Sequence, residues 1–318
     1  MKFSFVIPCY RSSQTISSVV NEIQETMNES GRSNYEIILV NDSSPDDTLD
    51  AIQKICLEKS NIIGIDLAKN FGQHAAIMAG LNFTSGDVVV CMDDDNQTPA
   101  NEVYKLLDKI DEGYDVVYAR YLQKKHSGLR NIGSFINSKM AEGLLNKPKE
   151  LYISSYFAAK RFVIDEMIQY KNAFPYVIGL VLRTTNRICN VDVTHRAREN
   201  GQSGYTFKKL FSLWVNGFTS FSVKPLRTAT YCGSGIAFMG LIYAVITIVK
   251  KIVNPAVPLG WSSTMAAMLI LGGAILLVLG IVGEYIGRIY ICMNNSPQYV
   301  IRSVLDNCDR KSPDHTEH

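Results

Sequence analysis

Three consecutive carboxylates, Asp93, Asp94 and Asp95, stand directly after the apolar run Val88-Val89-Val90-Cys91-Met92 and before Asn96-Gln97-Thr98-Pro99. A β-branched run bounded by Gly86-Asp87 on one side and by acidic and Pro residues on the other reads as a buried strand that ends at a surface. In an open α/β sheet, ligands lie beyond the carboxyl ends of the strands, so Asp93 and Asp95 stand where a substrate would sit. Strand alternation turns those two the same way and Asp94 the other. Carboxylates this close repel unless a cation joins them, and a divalent metal carrying a diphosphate would neutralise the group. A solvated acidic turn capping the next helix is the other reading of the same residues.

Polar signatures recur at the other predicted strand ends. The strand at 3–7 leaves through Pro8-Cys9-Tyr10-Arg11, the strand at 35–40 through Asn41-Asp42-Ser43-Ser44, and the strand at 62–67 through Lys69-Asn70-Phe71-Gly72. A nucleotide suits such a crevice, with Asp42 accepting from a base, Tyr10 packing beside it near Pro8, and Lys69 set against phosphate. Taken singly, Asp42 is a helix cap, Tyr10 rim packing and Lys69 a solvated charge. Gathered at carboxyl strand ends, they favour the nucleotide.

Apolar residues at helical spacing separate these strands, as in Ile16, Val19, Val20, Ile23 and Met27. Strands alternating with helices predict a doubly wound, mainly parallel α/β sheet. A fifth strand at 115–119 ends at Arg120, a strand is expected over 151–158, helices near 162–170 and 177–185, and a last strand at 188–193. The loop that follows, Thr194 to Gly204, is basic and contains Gly; Arg196 and Arg198 could clamp a phosphate, or pair with Glu199 as a solvated loop. His195 receives no role.

Composition adds a second environment. The 318 residues carry a net charge of +2, which gives no global electrostatic case for nucleic acid. From Thr228 to Val249 no residue is charged, a run longer than the ~20 apolar residues that span a bilayer. A second span is expected at about 263–283, continuing as helix toward Tyr290. Leu129, Ile132, Ile136, Met140 and Leu144 share one helical face that suits a core or a membrane surface. Phe207, Leu210, Phe211, Trp214, Val215, Phe218 and Phe221, beside Lys208-Lys209, suit an interfacial helix better. Gly272, Gly273 and Gly280 would admit close helix approach and a homo-oligomer. Only a handful of apolar residues separate Lys2 from Pro8, so no signal peptide is expected and the amino-terminal domain should stay cytoplasmic. The seven cysteines, odd in number and without paired spacing, read as reduced thiols. The expected organisation is a cytoplasmic domain at 1–204, an interfacial helix and linker at 205–227, two transmembrane helices at 228–292 and a cytoplasmic tail at 293–318. Both termini are then cytoplasmic and the chain is integral to the inner membrane.

In order, Val6-Ile7-Pro8-Cys9-Tyr10, Val40-Asn41-Asp42-Ser43-Ser44, Asn70-Phe71-Gly72, Gly80 and Asp93-Asp94-Asp95-Asn96-Gln97-Thr98-Pro99 resemble motifs of the polyprenyl-phosphate glycosyltransferases of glycosyltransferase family 2. That group includes dolichol-phosphate mannosyltransferases and undecaprenyl-phosphate glucosyl- and aminoarabinosyl-transferases. The likeness continues through Arg198 and Gly201-Gln202-Ser203, then Phe221 to Arg227, and reaches Gly283-Glu284-Tyr285-Ile286-Gly287-Arg288 at the end of the second span. It implies a GT-A fold that binds a nucleotide sugar, a UDP-sugar by preference, with Mg²⁺ or Mn²⁺. The sugar would pass with inversion to a polyprenyl phosphate, undecaprenyl phosphate by preference. By the same resemblance, Asp93 contacts nucleotide and metal, Asp95 and Gln97 hold the metal, and Pro8, Tyr10 and Asp42 line the base and ribose pocket. Arg120, Arg130 and Ser134 match positions near the acceptor phosphate, and Arg198 and Ser203 the late phosphate loop. The chain departs from the pattern at Arg11-Ser12, where Asn-Glu is usual, at Asn41 and Gly204, and at Ser154-Ser155, where some relatives are acidic. A processive polysaccharide synthase would need Gln-any-any-Arg-Trp, yet neither Trp214 nor Trp261 follows an Arg. A catalytically silent membrane partner is the alternative from another class, and the intact Asp93, Asp95, Gln97 and Arg198 argue against it.

Overall fold

In a computed structural model of the chain, β1 (Phe3–Cys9) places Phe3, Phe5, Ile7 and Cys9 on one face, where they join a buried cluster. Alternate residues such as Val6 face the other side. Helix α1 (Ile16–Glu29) lays Ile16, Val19, Val20, Ile23 and Met27 onto the first face. The structure describes residues 1–121, 147–148, 150–194, 196, 260–294 and 296–306, with scattered helical positions between 229 and 253. Chain contacts divide into two units, Met1–Trp214 with Asn295–His318, and Val215–Asn294.

In the first unit β2 (Tyr35–Asn41), α2 (Thr48–Glu58), β3 (Ile62–Leu67), α3 (Gln73–Leu81) and β4 (Val88–Cys91) follow in the expected alternation. A 3₁₀ turn (Ala100–Glu102) leads into α4 (Val103–Asp111) and β5 (Val116–Tyr121). Next come β6 (Phe157–Lys160), α5 (Arg161–Ile168), α6 (Val177–Thr184) and β7 (Ile188–Val193). The eight-stranded sheet has the order β7-β5-β6-β4-β1-β2-β3-β8, where β8 is Ile301–Asp306. Ladders β1–β2, β1–β4, β2–β3 and β5–β7 are parallel, so β1, β2 and β4 open toward one edge. Strand β6 runs antiparallel between β4 and β5.

Two differences from the sequence reading have local causes. The strand expected over 151–158 begins only at Phe157, because Asn190 reaches across and pairs with the backbone of Tyr152 in place of a ladder, donating to its carbonyl at 2.6 Å and accepting its amide at 2.7 Å. The tail expected at 293–318 contains β8, which pairs antiparallel with β3 and sets Leu305 against the core. Gly64 permits that approach: a Cβ there would stand 2.8 Å from Ile52 and 3.2 Å from Leu305.

Within the second unit, α7 (Trp261–Met293) covers the expected second span, and its stretch Ile270–Met293 is long and apolar enough to cross a membrane. Its Ile270, Leu276 and Leu279 are exposed, surface that lipid would cover. The first expected span is helical at its described positions, including Tyr231, Phe238 and Ile246. The interfacial stretches at 129–144 and 205–221 lie outside the described residues.

Candidate active site

Strand β4 stops at Cys91, and the three aspartates follow it in a loop whose side chains diverge. Asp94 turns to the β1 exit: its Oδ2 accepts the Tyr10 amide at 3.0 Å and the Ser12 hydroxyl, while Thr15 Oγ1 donates to its carbonyl at 2.6 Å. Asp93 turns elsewhere, accepting Gln73 Nε2 at 3.0 Å on Oδ1 and the Ser155 hydroxyl on Oδ2. Burial drives the Asp93 carboxyl up to about 7, with the Asp95 and Asp94 charges adding to the rise against the hydrogen bonds from Ser155 and Gln73. Asp95 is half-buried, and the Gln97 amide donates to its Oδ1 at 3.2 Å.

At the β2 exit, Asp42 is buried and its oxygens accept the amides of Phe71 at 2.7 Å and Gly72 at 2.9 Å. Asn70 Nδ2 donates to the Asp42 carbonyl at 3.2 Å, so one residue folds the β3 exit loop over the β2 exit. Gly72 has φ +91°, a backbone region in which a side chain is strained, and from there its amide reaches Asp42. Arg11, Ser43 and Asn96 have φ between 50° and 59° without being glycine, one in each of the loops leaving β1, β2 and β4. Backbone held this way costs roughly 1–3 kcal/mol per residue and collects where loops are shaped for a ligand.

Of the residues expected to bind a nucleotide, Pro8 is the penultimate residue of β1, opposite Val40, Tyr10 is exposed, and Asp42 lies beneath the Phe71-Gly72 turn. Lys69 sits over the Phe71 ring at 5.0 Å. Arg120 lies at the end of β5 and forks onto Asp192 of β7 at 2.5 and 3.0 Å. Arg130, Ser134, Arg198 and Ser203 lie outside the described residues. Arg196 pairs with Glu22 of α1, at 2.8 and 3.0 Å. Gln73 and Glu22 were missed by sequence reasoning, and Ser155 stood out only as a departure from the family pattern. Each is a polar residue joined to the site only by tertiary contact.

Among the described residues no three His, Cys, Asp or Glu side chains converge on a metal position. An ion of the Mg²⁺ kind takes one or two carboxylates and completes its shell with water and substrate phosphate. Asp95 offers such a carboxylate, and Asn96 Oδ1, buried in the same loop, has no hydrogen-bond partner.

Polar loops closing over buried carboxylates at the carboxyl edge of β1, β2 and β4 define a ligand-binding α/β domain. The chain belongs to glycosyltransferase family 2: the model described as glycosyl transferase family 2 matches residues 4–168, and one described as GtrB C-terminal hairpin matches 224–289. The undecaprenyl-phosphate 4-deoxy-4-formamido-L-arabinose transferase of Proteus mirabilis (strain HI4320) is 33% identical, over 96% of this chain and 94% of that one. The uncharacterized glycosyltransferase YkcC of Bacillus subtilis (strain 168) is 31% identical, over 95% and 94%. Glucosyl-3-phosphoglycerate synthase of Mycobacterium tuberculosis, crystallised with Mn²⁺, UDP-glucose and phosphoglyceric acid, superposes with a TM-score of 0.53 at 20% identity, over 69% of this chain and 78% of that one. That likeness concerns fold alone, and it agrees with the GT-A fold expected from sequence.

Proposed function

We propose that this glycosyltransferase moves a sugar, with inversion, from a UDP-sugar to undecaprenyl phosphate at the cytoplasmic face of the inner membrane. The observation that carries the reading is the presence, in one chain, of an acidic loop gathered with the β1, β2 and β3 exit loops and of an apolar hairpin of the family's own type. The likeness to an undecaprenyl-phosphate sugar transferase along almost the whole chain supports the acceptor class.

The nucleotide would lie over Pro8, Tyr10, Asp42 and Lys69, with Asp93 beneath it. Asp95, with Gln97 beside it, would hold Mg²⁺ or Mn²⁺, whose charge would ease departure of the diphosphate. An acceptor phosphate oxygen, already anionic, attacks the anomeric carbon as the bond to the nucleoside diphosphate breaks, so the chain needs to orient more than to deprotonate. Arg120, Arg130, Ser134, Arg198 and Ser203 are the candidates for that orientation, and Arg120 must exchange Asp192 for phosphate to take part. Residues 1–204 would then be the catalytic domain, 205–227 an interfacial helix, and 228–292 the anchor, with both termini cytoplasmic and self-association through the anchor.

The experiment is to incubate detergent-solubilised protein with a panel of nucleotide sugars, Mn²⁺ and a short-chain polyprenyl phosphate, and to identify the donor that yields a sugar-bearing lipid. Asp95→Ala should abolish that metal-dependent transfer while the protein still inserts in membranes. Undiminished turnover in this variant would refute the assignment.

A further inference from the structure

We propose that Glu22 and Arg196 form a positioning latch that holds the start of the basic loop after β7 in register with the acidic loop after β4. Glu22 projects from α1 beside the buried Val19 and Ile23. Its Oε1 accepts the amide of Ala100 at 3.1 Å, where the acidic loop passes into the 3₁₀ turn. The same carboxylate receives the Arg196 fork, Nη1 on Oε2 at 2.8 Å and Nη2 on Oε1 at 3.0 Å. The backbone closes the arrangement, because the Arg196 amide donates to the Gln97 carbonyl at 3.1 Å. One carboxylate thus grips both ends of the contact between two loops. Upstream, Thr194 Oγ1 donates to Glu102 at 2.9 Å, so the exit of β7 is stitched to the same stretch a second time.

Stability alone does not account for this construction. Arg196 is 48% exposed and Glu22 21%, and a pair so open to water contributes little to stability. A bidentate fork contributes direction, fixing a guanidinium plane against a carboxylate plane. Gln97 carries the metal side of the site, and Arg198 follows Arg196 by two positions in the sequence, so whatever fixes Arg196 limits where the next guanidinium can reach. This role rests on the transferase reading above. The latch sets the spacing between groups that meet the departing diphosphate or the arriving phosphate, and it touches neither.

The test uses the full chain in detergent with the donor found active, comparing wild type, Glu22→Gln, Arg196→Lys and the double variant. Each single should lower kcat about tenfold with the donor KM within about twofold, the signature of misplacement more than lost binding. The double should lose no more than either single, since both act through one contact. Hydrogen exchange at the Arg196 and Ala100 amides should quicken in Glu22→Gln, with little change in Tm. Wild-type rates in both singles, additive losses, or unchanged exchange at both amides would overturn the latch. Should wild type itself transfer no sugar from any donor, the transferase reading fails and the positioning role falls with it.

Discussion

Ser155 donates its hydroxyl to the Asp93 carboxylate across 62 positions of sequence, and Gln73 supplies the other oxygen's partner. Both donors stabilise the ionised form, yet burial outweighs them and the Asp93 carboxyl rises to about 7. A carboxyl raised on folding is bound to its proton more tightly in the native state, so it removes stability as pH climbs from the ordinary 3.8 through about 7. A cation at Asp95 favours the ionised Asp93 and offsets that loss. Mn²⁺ with UDP should therefore raise Tm more at about pH 8 than at about pH 5, by mass action on the native state alone. Thermal melts at the two pH values measure this, and an equal rise at both would show that the cation does not sense Asp93. Ser155→Ala, which removes a favourable partner, should widen the difference.

Glu36 carries the opposite sign at the other end of the sheet. It is almost wholly buried; burial pushes its carboxyl up, but hydrogen bonds from Lys2, Ser4 and Ser85 outweigh burial and hold it below the usual 4.5. Its contribution to stability is present above the unfolded pKa and is lost as pH falls through the folded one. Lys2→Met should cost about 1–3 kcal/mol, because the carboxylate loses its 2.6 Å partner while staying buried. The loss, measured by urea unfolding, should be smaller for Lys2→Met in a Glu36→Gln background.

Gly80 was legible as a motif residue before its reason was visible. On α3 it faces β1 and β2, and a Cβ there would meet Val6 Cγ1 at 2.5 Å and Val40 Cγ2 at 3.0 Å. Gly80→Ala should destabilise by about 1–3 kcal/mol through overpacking. Val6→Ala in the same chain should recover part of it, a non-additivity that chemical unfolding of the four variants would reveal.

Periodicity placed β1, α1, β2 and β7 well because each buries one continuous apolar face, and the pattern that specifies the face is local. The aspartates, Asp42 and Gly72 were legible for a related reason: turn chemistry and strand ends are written in adjacent residues. Glu22 was not. In α1 it reads as one more polar residue on a solvated face, and only the return of the chain at Ala100 and Arg196 makes it a partner. Ser155 carried no local signal of its bond to Asp93 either, and Asn190 displaced most of an expected strand from a distance. Strand β8 was hidden by order: it follows the hairpin, and Ile301-Arg302-Ser303-Val304-Leu305-Asp306 lacks a clean alternation.

That strand offers a final test. Arg302 donates to the Ala68 carbonyl at 2.8 Å and stands 3.6 Å from Asp66, a buried carboxylate at the end of β3 whose other oxygen takes Asn41 Nδ2 at 2.7 Å. Gln298 donates to the carbonyls of Tyr170 and Asn172, both at 3.0 Å, and the Val300 carbonyl accepts the Ala68 amide at 2.8 Å, so the chain is fastened before the strand begins. Ending the chain before Ile301 removes one side of the β3 ladder, strips Leu305 from Gly64 and leaves Asp66 without its nearest cation. An unpaired β3 edge invites association with other chains. The truncated protein should therefore melt several degrees lower and aggregate in detergent, by size-exclusion chromatography, where the full chain does not. Arg302→Ala separates the two contributions. It keeps the ladder and removes the charge, so it should lower Tm without causing aggregation, and an Asn41-bonded Asp66 that tolerates the change fully would assign the whole effect to the strand.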